Sequence, residues 1–147
     1  MADRLEEALR KHLLDTTEVA AITDQVWLGD IAPQSKTLPD VLFQMTDGGI
    51  DETYDGNAED LQFPFFEFTS RAVDPVVCVN LNTEVRKALR ALRTGATITL
   101  SSGSAVIEQL SLHAQGDDVS TFEEGGTDQI LYARTLLVQV GYRFETE

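Results

Sequence analysis

The chain has 147 residues, 42% of them apolar, enough for one globule with a single core. Its 25 acidic against 11 basic residues leave a formal charge of -14, which argues against binding to a phosphate backbone, an affinity that Lys and Arg supply by displacing counterions. The single cysteine, Cys78, excludes an intramolecular disulfide and a cysteine-rich metal site, and reads as a small apolar core residue on a helix.

At the start of the chain, Asp3 followed by Glu6 resembles a capping box, and Leu5, Ala8, Leu9 and Leu13 form one apolar stripe. This predicts an amphipathic helix over 3–14, with a short helical turn to follow within 16–22. The first thirty residues hold no apolar run near the ~20 residues of a membrane span and no secretory leader, so a cytoplasmic setting without a membrane is expected. Pro39 fixes φ and cannot donate to a ladder, so a strand begins beside it, over about 40–46, with 41–45 buried. A second strand is expected over 61–73, where Pro64 marks a bulge or an edge.

Asp74 ahead of Pro75 is the strongest helix start in the chain, a capping side chain before a proline at the first helical position, and Gly95 supplies the stop. On that helix Val77, Leu81, Val85, Ala88, Leu89 and Leu92 share one arc, with Arg86, Arg90 and Arg93 almost opposite. Strands are then predicted over 106–114 and 129–145; in the last, Ile130, Tyr132, Leu136, Val138, Val140, Tyr142 and Phe144 alternate onto one face, interrupted by Arg134. Between the strands lie two acidic runs without a cation, 46–60 and 115–129, both read as loops. The expected fold is α+β in the order α-β-β-α-β-β. It is a single domain, 1–147, whose sheet of about four strands is antiparallel, mixed at most, under two helices on one face.

Catalytic and metal-binding patterns are nearly absent. The segment 51–62 meets a calcium loop at positions one, five and six, but Thr53 and Gln62 stand where an amide or carboxylate and a bidentate Glu are needed, so a solvated acidic turn is expected. His12 and His113 have no ligand partner at metal spacing and read as boundary or surface residues. The serines of 101–104 lack a nucleophile elbow, and Gly48-Gly49 and Gly125-Gly126 lack the lysine and helix of a phosphate loop. No enzyme and no cofactor are expected.

One set of motifs does carry a resemblance. Val26-Trp27-Leu28-Gly29 is followed by an Ala-Pro-Gln turn at 32–34, Leu38-Pro39 and the strand after it, a second strand over 61–73 running into the long helix, and the closing strand 132–144. In this order they resemble the tail-completion or tail-terminator proteins of long-tailed bacteriophages, with one departure: 74–80 lacks the aromatic residues of that pattern. The resemblance implies a virion protein of tail and neck, assembled in the host cytoplasm. Such a subunit belongs to a hexameric ring that ends the tail tube, meets the tube and neck connector proteins, and lets DNA pass through its lumen without specific binding. On that reading the acidic residues Asp51, Glu52, Asp55, Asp117, Asp118, Glu123 and Glu124, with Phe122 as an apolar anchor, are candidates for the lumen or a partner, and Arg86, Arg90 and Arg93 for a subunit contact. The alternative from composition is an acidic DNA mimic that inhibits a nucleic-acid-binding protein, its carboxylates imitating phosphates.

Overall fold

The computed structural model describes residues 4–29, 38–47, 63–93, 96–100, 103–124 and 127–146. Among these residues three helices, α1 (Arg4–Asp15), α2 (Thr17–Ala20) and α3 (Pro75–Arg90), accompany six strands: β1 (Val26–Leu28), β2 (Asp40–Asp47), β3 (Phe65–Ala72), β4 (Ala96–Leu100), β5 (Gly103–Glu124) and β6 (Thr127–Thr146). The strands form one sheet in the order β1-β2-β3-β6-β5-β4, curled into a half-barrel. β1 lies parallel to β2, and every other pairing is antiparallel.

This corrects the four-stranded, two-helix expectation. β1 escapes a pattern reading because three residues are too short to show a period, and β4 because its alternation, Ala96-Thr-Ile-Thr-Leu100, is only five residues long. The run 115–129 is not a loop. β5 and β6 continue through it as one hairpin, paired down to Glu124 opposite Thr127. Acidic residues are disfavoured in strands by propensity, but here the ladder with β6 carries the pairing outward from the apolar half. Pro64 ends up just before β3 rather than bulging it, with its carbonyl accepting from Val140 N at 3.0 Å.

Each element buries the stripe its sequence offers. β3 alternates strictly, and Phe66 and Phe68 are fully buried beside Phe43 of β2; the Phe43 and Phe68 rings stack at 5.2 Å. Leu5, Leu9 and Leu13 of α1, Val19 of α2, and Leu81, Val85 and Leu89 of α3 close the same core against Leu136, Val138 and Val140 of β6. Each such side chain contributes about 1.5–3 kcal/mol on leaving water. Polar ties hold the helices in place: Arg10 Nε donates to Val26 O at 2.7 Å with its guanidinium 4.5 Å from the Trp27 ring centroid, and His12 Nε2 donates to Ala88 O at 2.7 Å. The start of α3 is as its sequence requires, with Asp74 accepting from Val76 N at 2.9 Å and Pro75 in the first turn. Its end comes at Arg90, before Gly95.

Candidate assembly surface

Among the described residues the hairpin β5–β6 is the longest feature, and none of the other described strands pairs with its outer part. β3 leaves β6 at the pair Ala72 with Tyr132, and β4 covers β5 only over 103–107. Beyond Tyr132 five further pairs, from Ser120 with Leu131 to Glu124 with Thr127, project past the rest of the sheet.

A register shift between Leu112 and Ala114 sets the face of everything beyond it. Before the shift Leu112 stands opposite Val138; after it Gln115 stands opposite Leu136, Asp117 opposite Arg134 and Val119 opposite Tyr132. One extra residue, His113, has exchanged the two faces of β5, since side chains alternate with period two. Asp117 is thereby brought to Arg134, with Nε 2.9 Å from Oδ1. The interruption that Arg134 makes in the apolar alternation of β6 is thus compensated by a carboxylate directly across the ladder.

On this same side the hairpin meets the first turns of α3. Five large apolar side chains are exposed among the described residues: Val73, Val76 and Val79 at and just before the start of α3, and Val119 and Ile130 on the hairpin. Between them a groove of about 170 Å³ is lined by Pro75, Cys78, Val79, Val119 and Tyr132, with Asp117 and Arg134 at its margin. Cys78 itself is buried, and its thiol donates to Ser70 O at 3.4 Å. Burial pushes the thiol up from its ordinary range, Arg134 pulls it down, and Asp117 adds to the rise. It is a core residue, as its sequence context implies.

At the opposite end of α3 lies a second groove, of about 280 Å³, lined by Arg90, Arg93, Leu110, Ser111 and Leu112. Arg86 is half-buried one turn back, and Arg90 and Arg93 are exposed. None of these three takes part in the ion pairs formed among the described residues.

Of the residues singled out in the sequence, Asp117 is exposed and paired, Asp118 lies in β5 opposite Ala133, and Phe122, Glu123 and Glu124 are the last three residues of β5, opposite Gln129, Asp128 and Thr127. Asp51, Glu52 and Asp55 lie outside the described residues. The structure therefore gathers one acidic group on the hairpin and separates it from the arginine stripe. What pattern reading missed is the apolar shoulder. Its signal was available in Val76 and Val79, three apart on α3 and off the arc that faces the core. Among the described residues, no group of three or more His, Cys, Asp and Glu could hold a metal ion, and no helix is long and apolar enough to cross a membrane.

No protein-family model and no curated protein matches the chain. Its fold is similar to that of a chain in the solved virion of a native gene transfer agent particle. The two superpose with a TM-score of 0.59 over 94% of this chain and 93% of the other, at 15% sequence identity.

Proposed function

We propose that this chain is a structural virion protein, the subunit of a hexameric ring that ends a tail tube and joins it to the neck. The observation that carries the reading is the near full-length likeness in fold to a virion component, which coincides with the order of tail-terminator motifs along the sequence. The surface agrees in kind: exposed valines at the start of α3 and exposed Val119 and Ile130 on the projecting hairpin offer apolar contact to a neighbouring subunit. The charge of -14 fits a channel for DNA, because an acidic wall repels phosphate and lets the duplex slide without sticking. The acidic run at 46–60 is our candidate for that wall. The Asp117–Arg134 pair speaks against DNA mimicry, since it withdraws a carboxylate from any phosphate-like array.

The test is loss of the chain during particle assembly. Without it, heads and tails should accumulate unjoined, with tubes of uneven length visible by electron microscopy, and adding the purified protein back should restore joined particles with a six-fold ring at the tube end. Joined, infectious or DNA-transferring particles formed in its absence would reject the reading.

A further inference from the structure

The arginine groove and the acidic hairpin tip lie apart along β5, the groove against its middle and the tip at its end. The groove floored by Leu110 and Leu112 and the hairpin tip at Glu124 are twelve residues of β5 apart, roughly 40 Å at the rise of an extended chain. Apart from the unpaired His113 the ladder with β6 runs on to Glu124, so the extended hairpin carries the tip away from the groove of its own chain. The groove combines an apolar floor with two guanidinium groups. A cationic helix end alone would be explained by the macrodipole, which favours Arg near the last carbonyls. The dipole does not explain a groove of about 280 Å³ that leucines line together with those cations.

We propose that this groove receives the hairpin tip of a second copy of the chain, Phe122-Glu123-Glu124, in a head-to-tail contact. The proposal rests on the ring reading above and supplies its subunit interface. Charge complementarity selects the occupant: 117–128 carries five carboxylates and no cation, while 86–93 carries four of the chain's 11 cations. In a subunit of charge -14 the general force between copies is repulsion, so association needs a local match of opposite charge, and these two segments provide it. The tip supplies an aromatic residue that suits Leu110 and Leu112 and carboxylates that suit the forked donors of Arg90 and Arg93. Because donor and acceptor surfaces differ, the contact is heterologous, and repeated with a closing rotation it makes a ring.

The test is a charge swap read by sedimentation equilibrium at low salt. Arg90→Glu with Arg93→Glu, and separately Glu123→Lys with Glu124→Lys, should each raise the self-association constant for dissociation about tenfold or more. Mixing the two variants should restore association, because each then offers a tip that matches the other's groove, and circular dichroism should show both folded as wild type. If wild type associates and both variants associate equally well, the contact is overturned while the ring stands. If the mixture stays monomeric, the pairing of tip with groove is overturned. A wild-type chain that stays monomeric at low salt overturns self-docking whatever the particle experiment shows, and unjoined particles in that experiment would still leave the ring reading in place.

Discussion

Arg71 grips Asp40 across the β2–β3 ladder through two hydrogen bonds, Nε to Oδ1 at 2.8 Å and a terminal guanidinium nitrogen to Oδ2 at 2.6 Å, and the two residues are direct register partners. Asp40 is fully buried and Arg71 is mostly covered, its side chain 23% exposed. The hydrogen bonds that Arg71 donates to Asp40 raise the guanidinium above its ordinary range, against the lowering effect of burial. A group raised on folding contributes stability that is present below its unfolded pKa and is lost only as pH climbs through the folded one. For an arginine that window lies beyond the usable range, so the Arg71 contribution is constant through neutral pH. Asp40→Asn leaves a covered guanidinium without its counter-charge. We expect a loss of about 3 kcal/mol, a fall in Tm on the order of 10 °C, measured by urea and thermal denaturation. A change below about 1 kcal/mol would mean the pair is no more than a surface bridge.

Cys78 titrates in the opposite setting. Its thiol is raised chiefly by burial, so the unfolded chain ionises first and stability falls as pH rises above about 8.5, the ordinary thiol value. Cys78→Ala should flatten this alkaline decline, and a thiol reagent should label wild type slowly until urea unfolds it. Fast labelling of the native chain would contradict the burial argument.

Gly141 stands opposite Gln109 at the first register shift of β5, under the ring of Phe63. A Cβ built there would lie 2.8 Å from Phe63 Cε1 and 3.3 Å from Gln109 Cβ. Gly141→Ala should therefore cost about 1–2 kcal/mol. Phe63→Ala in the same chain should relieve part of that cost, and a double-mutant cycle reads the coupling. Additive effects would show that the ring swings aside freely.

The apolar shoulder gives the clearest separation of folding from assembly. Val119 and Ile130 are 61% and 49% exposed, so Val119→Lys with Ile130→Lys removes little buried surface and should shift folding stability by only about 0.5 kcal/mol. On the proposed assembly the same change should weaken particle joining and reduce recovery of the chain in purified particles. Unimpaired joining would remove the shoulder from the interface.

Much of the scaffold can be read from the residues in order. The stripe of α1, the cap of Asp74 and Pro75, the arcs of α3 and the strand after Pro39 are local patterns, and local chemistry is enough to produce them. The error over 115–129 has a definite cause. Five carboxylates and three glycines predict a loop, yet pairing there is imposed by the neighbouring strand and not by propensity.

By itself, then, the sequence determined where apolar faces and helix ends lie, that the chain is strongly acidic, and that four of the 11 cations fall within 86–93, because these follow from composition or from residues within a few positions of one another. Tertiary structure alone decided that β1 joins in parallel, that one bulged residue turns Asp117 toward Arg134, and that the acidic tip stands far from the arginine groove. Strand register and sheet order depend on contacts between residues distant in the chain, and a single-residue shift reverses every face beyond it, which no short-range pattern encodes.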